Sequence, residues 1–474
     1  MARNYDIYLA GKFLGRKEKQ AIRNPYDDSL VGKVSLASSS DMTKAISIAD
    51  KTFAQTKNLP SYVRSGVCIS IADQLSKEAE KFAVMMSAEV GKAIRDCRGE
   101  VSRAIEVFRL AAEESKRIGG EIMDLDTQPG ADGRFGLIRR FPVGVIAGIC
   151  PFNFPLNLVA HKVAPAIASG NCIIIKPAPK TPIIALMLAR ILDNTDYPKG
   201  AISVLPATNE DSAPLIHDDR VKVISFTGSD KVGWWIKNQA GRKKVVLELG
   251  GNAGVAVADD ADLDYAIDRI LYGGFASAGQ SCISVQRIFV HEKIYTKFMR
   301  RFIPLVKKLK VGNPLNEKTN IGTLVDDSAV AKTRALIAES VKAGARVLVG
   351  GKIRGRLMQP TVMTDVKSSM PVCVMEAFAP LVTVSKYKKF DKVISEINNS
   401  DFGLQAGIFT NRMDDVFRAY RDLDVGGVVI NDIPTFRADQ QPYGGVKNSG
   451  VGREGVRYAI EDMTELKILS LNLR

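Results

Sequence analysis

At 474 residues the chain is too long for one ordinary domain, and 46% hydrophobic with 25% charged residues describes a globular protein with large cores. Its net charge of +14 is dispersed, with only short clusters such as Arg242-Lys243-Lys244, so a solvated surface is expected and a nucleic-acid partner is not. Six scattered cysteines without a C-x-x-C pair and three distant histidines exclude a disulfide framework and a metal site; without a signal-peptide core or an unbroken apolar run, a soluble cytoplasmic protein with no membrane partner is expected.

Residues 1–36 alternate apolar and polar positions around turn signals and read as short antiparallel strands. From Ser40 to about Ile118 the apolar spacing is helical. A polar, Gly-rich piece follows, Gly119 to Gly136, and near Arg139-Arg140 a strand is expected to leave the body of the domain. Then strands alternate with helices. Strands are expected at Val143–Cys150, Cys172–Lys176, Ala201–Leu205, Val221–Phe226 and Val245–Leu249. Helices are expected at Asn157–Ala168, at Thr181–Leu192 and from Asp230. That is the pattern of a parallel, doubly wound sheet. A second α/β series starts near Gly254, with helices at Asp262–Tyr272, Ile294–Lys308 and Ser328–Ala343 and strands at Val285–His291, Ala345–Val349 and Gly426–Asn431.

Cys282 sits in GFASAGQSCISVQR among small and polar neighbours that suit an approachable thiol, although a lone cysteine reads first as packing. Lys176 closes the strand CIIIK, where a side chain points into a ligand crevice or snorkels to the surface. Gly228 and Ser229 open a helix behind a strand, which suits a phosphate or a simple turn. Glu248 lies in the apolar run VVLELGG, where a carboxylate is paired or kept for proton transfer. Asn153, between prolines in PFNFP, is a cap or an oxyanion donor, and Glu376 stands beside Phe378 in a loop after a strand-like stretch. The literal G-x-G-x-x-G at Gly450 to Gly455 follows polar residues and has too little chain behind it for a βαβ unit. Thiol, amide, carboxylate and crevice together describe oxidation of an aldehyde through a thioester.

The segments PFNFP (151–155), KPAPKTP (176–182), FTGSDKVG (226–233), LELGG (247–251), GQSC (279–282), EAFAP (376–380) and PYGGVKNSGVGREG (442–455) resemble, in order, the motifs of the NAD(P)-dependent aldehyde dehydrogenase superfamily. The resemblance implies an α/β fold with a Rossmann-like doubly wound cofactor domain (1–122 and 143–250), an α/β catalytic domain (251–446) and a small β oligomerisation arm with the tail (123–142 and 447–474). It implies Cys282 as nucleophile, Asn153 and the Cys282 amide as oxyanion donors, and Glu248 as the base that activates water. Lys176, Gly228, Ser229, Glu376 and Phe378 are implied in cofactor binding, and a homodimer or homotetramer in solution. Pro179 replaces the ribose-gripping glutamate of many NAD-preferring members, and with Lys180 beside it NADP is expected to be accepted as well as NAD. Tyr443 stands where phenylalanine is common and is expected to be neutral. FNFPLNLVAHKVAPAIASGN, GQSCISVQR and INDIPTFRADQQPYGGVK are similar to the branch of lactaldehyde and non-phosphorylating glyceraldehyde dehydrogenases, which implies a short, 2-hydroxylated aldehyde substrate. His161 and Arg437 are its expected polar contacts, with Asp432 or Asp439 as the alternative partner of Arg437. Succinate semialdehyde and glyceraldehyde 3-phosphate are alternative substrates, and Ser281, where phosphate-reading relatives carry arginine, weighs against the latter. A non-catalytic RNA-binding or structural protein is the alternative of a different class.

Overall fold

The computed structural model describes residues 3–473; Met1, Ala2 and Arg474, included in the expected domain ranges, lie outside them. Five fully or largely buried apolar runs form the centre of an eight-stranded sheet, in the spatial order Lys244–Glu248, Val221–Thr227, Val145–Ile149, Cys172–Lys176, Ile202–Val204, all parallel. The antiparallel pair Ile7–Leu9 and Lys12–Leu14 closes one edge. The chain runs outward from Val145–Ile149 through the next two strands, then returns to the other side of it with Val221–Thr227. That reversal opens a crevice beyond the carboxyl ends of the strands. Helices cover both faces, and Asn157–Ser169 is buried all round.

The second sheet has seven strands in the order Arg346–Val349, Thr361–Thr364, Leu381–Tyr387, Val285–His291, Ala253–Val257, Gln405–Phe409, Gly427–Ile430, parallel except for the first pair. Cys282 precedes the strand Val285–His291 and Glu376 and Phe378 precede Leu381–Tyr387, while Arg437 and Tyr443 reach the cleft from the segment after Gly427–Ile430.

The structure departs from the sequence expectation in three places. Near the amino end, Asn4–Tyr5 pairs parallel with Leu30–Ser35, because the chain crosses over before returning. The tail is divided. Gly450–Val451 adds an antiparallel edge strand to Lys244–Glu248, and the helix Val456–Asp462 packs on the first domain. In the three-stranded arm, Thr464–Asn472 joins Arg134–Pro142 and Gly120–Asp124. Lastly, Glu376 and Phe378 follow the short helix Pro371–Val374 and precede a strand, whereas the sequence placed them after one.

Candidate active site

A cleft of about 1190 Å³ runs between the two domains and collects Asn153, Lys176, Pro179, Gly228, Ser229, Glu248, Cys282, Glu376, Phe378 and Arg437. On the first-domain side, Lys176 ends its strand with Nζ donating to Asn209 Oδ1 at 3.0 Å, and burial holds its pKa below the usual lysine range. Gly228 leaves room that a side chain would take, since a Cβ there would meet the Phe226 ring at 2.6 Å. The helix Asp230–Gln239 begins at Ser229 without a side-chain cap, which leaves its first amides and positive dipole end for an anion. Glu376 accepts from Gly251 N–H at 2.9 Å, and burial pushes its carboxyl up to about 7. Phe378 adopts φ 48 and stands edge-on to Phe152, with ring centres 5.9 Å apart. Lys176, a phosphate-accepting helix start, and Glu376 with Phe378 fit a bound dinucleotide along this wall. Lys180 departs from its expected role: its Nζ turns 3.4 Å from Asp326 Oδ2, and it does not line the cleft.

The thiol is carried by a strained approach. Ser277 and Ala278 have φ 52 and 55, followed by Gly279 at φ 67, so three left-handed residues in a row turn the chain after the helix Leu263–Phe275. Each non-glycine member costs about 1–2 kcal/mol. Gly279 is required there, since a Cβ would lie 2.1 Å from Ala379 O. Gln280 anchors the turn by donating to Thr323 O at 3.1 Å and accepting from Val325 N–H at 3.0 Å. Gly251 serves the same end: a Cβ on it would strike Cys282 O at 2.2 Å. Asn153 Nδ2 donates to Gln280 O at 3.0 Å, which fixes the amide plane next to the thiol loop and leaves a second N–H. The Cys282 amide has no acceptor among the described residues. These are the donors an oxyanion needs. Behind Asn153, Glu100 accepts from Leu156 and Asn157 N–H at 2.9 and 3.1 Å and is paired at 2.6 Å with buried Lys92, so the PFNFP loop is held from beneath.

Glu248, at the end of its strand, is 3% exposed and neither carboxylate oxygen has a protein partner. Burial, then the negative charge of Glu454, raises its pKa well above the usual carboxylate range. Glu454 itself is held low, against burial, by Lys162 Nζ at 3.2 Å and by Arg437 Nη2 at 3.0 Å. Lys162 also donates to Thr227 Oγ1 at 2.7 Å. Glu454 and Lys162 were not read from the sequence as site residues. Glu454 lies inside the G-x-G-x-x-G segment, which therefore feeds a buried charge network. Lys162 left a usable signal, a lysine in a helix whose 13 residues are all buried.

His161 is corrected. It is buried outside the cleft lining, with Nε2 2.9 Å from Asp439 Oδ1 and Arg437 Nη2 at 3.3 Å, and burial followed by Arg437 lowers its pKa. It backs Arg437 instead of meeting a ligand. Arg437 lines the cleft, but its ion-pair partner is Glu454; Asp432 is taken by Arg269 and Asp439 by Arg103. Arg103 also lines the cleft, a cation the sequence did not single out. Tyr443, expected to be neutral, also meets the thiol. Its hydroxyl lies 3.1 Å from Cys282 Sγ.

Residues 13–469 match the aldehyde dehydrogenase family. Among relatives, 3-sulfolactaldehyde dehydrogenase of Priestia aryabhattai is 42% identical over 472 residues, covering 99% of this chain and 98% of that one. Aldehyde dehydrogenase 21 from Physcomitrella patens, in complex with the reaction product succinate, superposes with a TM-score of 0.98 at 42% identity, covering 100% of this chain and 99% of that one. Glyceraldehyde-3-phosphate dehydrogenase from Methanocaldococcus jannaschii, complexed with NADP, gives a TM-score of 0.92 at 38% identity, covering 96% and 100%.

Proposed function

The chain belongs to the aldehyde dehydrogenase family, and on that premise we propose that it oxidises a short 2-hydroxylated aldehyde with an anionic or polar far end to the carboxylic acid. The observation that supports this most is the placement of Cys282, Asn153 and Glu248 in one cleft with Arg103 and Arg437. The relatives act in the same direction by name: a sulfolactaldehyde and a product succinate are both short and anionic.

Cys282 Sγ adds to the aldehyde carbon, and the oxygen takes up negative charge that Asn153 Nδ2–H and the Cys282 amide receive. Lys176, Gly228, Ser229, Glu376 and Phe378 would hold NADP or NAD, which would supply the acceptor for the hydride that leaves that carbon. The chain is then acylated at Cys282 as a thioester. Glu248 takes a proton from water as that water attacks the acyl carbon, releasing the acid and the thiol. Glu248 argues for hydrolysis over transfer of the acyl group to another thiol. Pro179 puts no negative charge near a ribose 2′-phosphate, which supports use of NADP at least as well as NAD.

Lactaldehyde, glyceraldehyde, succinate semialdehyde and propanal, each followed by absorbance of the reduced nicotinamide, test the reading. The polar aldehydes are expected to show kcat/KM at least about tenfold above propanal, since propanal offers no hydroxyl or carboxylate to Arg103 or Arg437. Arg103→Ala is expected to narrow that gap. Arg437 is unsuitable for this test, because its loss strands Glu454. Equal efficiency on all four aldehydes would remove the substrate claim and leave the family membership standing.

A further inference from the structure

The hydroxyl of Tyr443 meets the reacting sulfur in a way the sequence did not foreshadow. Tyr443 is 3% exposed, lines the cleft, and its hydroxyl has Cys282 Sγ at 3.1 Å as its hydrogen-bond partner among the described residues. Three contacts hold the ring in place. Its main chain is bridged to Glu454 in both directions, N–H to O at 3.0 Å and O from N–H at 2.6 Å. The Arg437 guanidinium lies 3.8 Å over the ring centre. Arg437 is in turn tied to Glu454, which fixes the guanidinium over the ring.

The groups facing Cys282 make that hydroxyl consequential. Burial pushes the thiol up to about 12; Glu376 and Glu248 push the same way, while the Tyr443 hydroxyl and Arg437 pull it down. Of the two that pull down, the hydroxyl is the one in direct contact. We propose that Tyr443 is a catalytic residue: its hydroxyl donates to Cys282 Sγ as the thiol ionises and holds the resulting thiolate aimed into the cleft. The thiol proton leaves to water in the cleft and Tyr443 keeps its own. Burial and then the adjacent thiol hold the tyrosine well above its usual range, so it stays a donor throughout. When Sγ bonds to the aldehyde carbon its negative charge is lost, and the hydrogen bond to it weakens. The contact therefore favours the nucleophile before attack. A phenylalanine in the same position would pack as well and offer no donor.

The inference rests on Cys282 as the nucleophile, and the experiment separates the two. The rate of iodoacetamide alkylation is measured against pH for the wild type, Tyr443→Phe and Cys282→Ser, with dinucleotide binding and circular dichroism as controls of the fold. Tyr443→Phe is expected to move the alkylation profile up by roughly one pH unit and to slow the reaction at neutral pH about tenfold. Its kcat/KM is expected to fall by a similar factor at neutral pH and to recover in alkaline solution, with dinucleotide affinity unchanged. Fluorotyrosine placed at position 443 makes the hydroxyl a stronger donor with the ring retained, and is expected to move the profile down. Profiles for Tyr443→Phe and fluorotyrosine that superimpose on the wild type overturn the role of Tyr443. Alkylation that persists unchanged in Cys282→Ser overturns the nucleophile reading beneath it.

Discussion

A buried carboxylate without a donor is poorly stabilised as an ion and strongly basic once formed, and Glu248 is in that condition. Its raised pKa has a definite sign for catalysis. At low pH Glu248 keeps its proton and cannot take one from water, so the hydrolytic step rises as pH climbs through the raised value. The Cys282 step has its own separate dependence. Glu248→Gln is expected to give one rapid equivalent of reduced cofactor per site and then stall, because only the water step loses its base. Stopped-flow absorbance checks this, and a variant that shows no burst assigns Glu248 to hydride transfer instead. That Cys282, Asn153 and Glu248 would share one cleft was legible from the motifs that carry them in order along the chain. Glu454, Arg437 and Lys162 were not legible as a group. Their pairing joins positions 162, 437 and 454 through the fold, and no local pattern carries a contact of that range. Tyr443 shows the complementary failure. A hydroxyl added to an aromatic looks conservative in a sequence, and only the fold brings it 3.1 Å from a sulfur.

At the scale of elements, the strand-to-helix turns of the first domain carry the chemistry of cofactor choice. The strand Cys172–Lys176 delivers Lys176 to the cleft, and Pro179 follows in the turn before the helix Pro182–Asp193, with its carbonyl accepting from Gln20 Nε2 at 3.1 Å. That carbonyl survives a side-chain change, so Pro179→Glu adds a carboxylate without removing the contact. The variant is expected to favour NAD over NADP by at least about tenfold relative to the wild type, through contacts to the ribose hydroxyls and repulsion of a 2′-phosphate. The ratio of kcat/KM values for the two cofactors measures it, and a wild type that already strongly prefers NAD counts against the reading. The elements of this domain were readable because its central strands are mostly apolar runs bounded by turn residues. In the second domain Thr361–Thr364, Leu381–Tyr387 and Gln405–Phe409 escaped notice. They are short, or mix threonine, serine and glycine with apolar residues, and they become strands through their neighbours. Gly407 shows why: a Cβ there would meet Asp432 O at 2.7 Å, so the glycine that weakens the local strand signal permits the close packing.

For the whole molecule, the three-stranded arm is built as though it were not meant to stand alone. Leu137 is paired with Ile122 on one side and Leu469 on the other, which lays one apolar row across all three strands. Ile122 is 74% and Leu469 55% exposed. A row of this kind left in water is unfavourable, and a twofold partner covering it with the same residues is the economical arrangement. The arm is therefore expected to hold a homodimer or homotetramer together. Leu469→Asp places a carboxylate at one end of the row, where association would bury it. Light scattering is expected to show a smaller particle for the variant than for the wild type. Dinucleotide binding should persist, because no cleft residue is displaced. A variant particle of unchanged mass, or a wild type that is already monomeric, would refute the assignment of this surface.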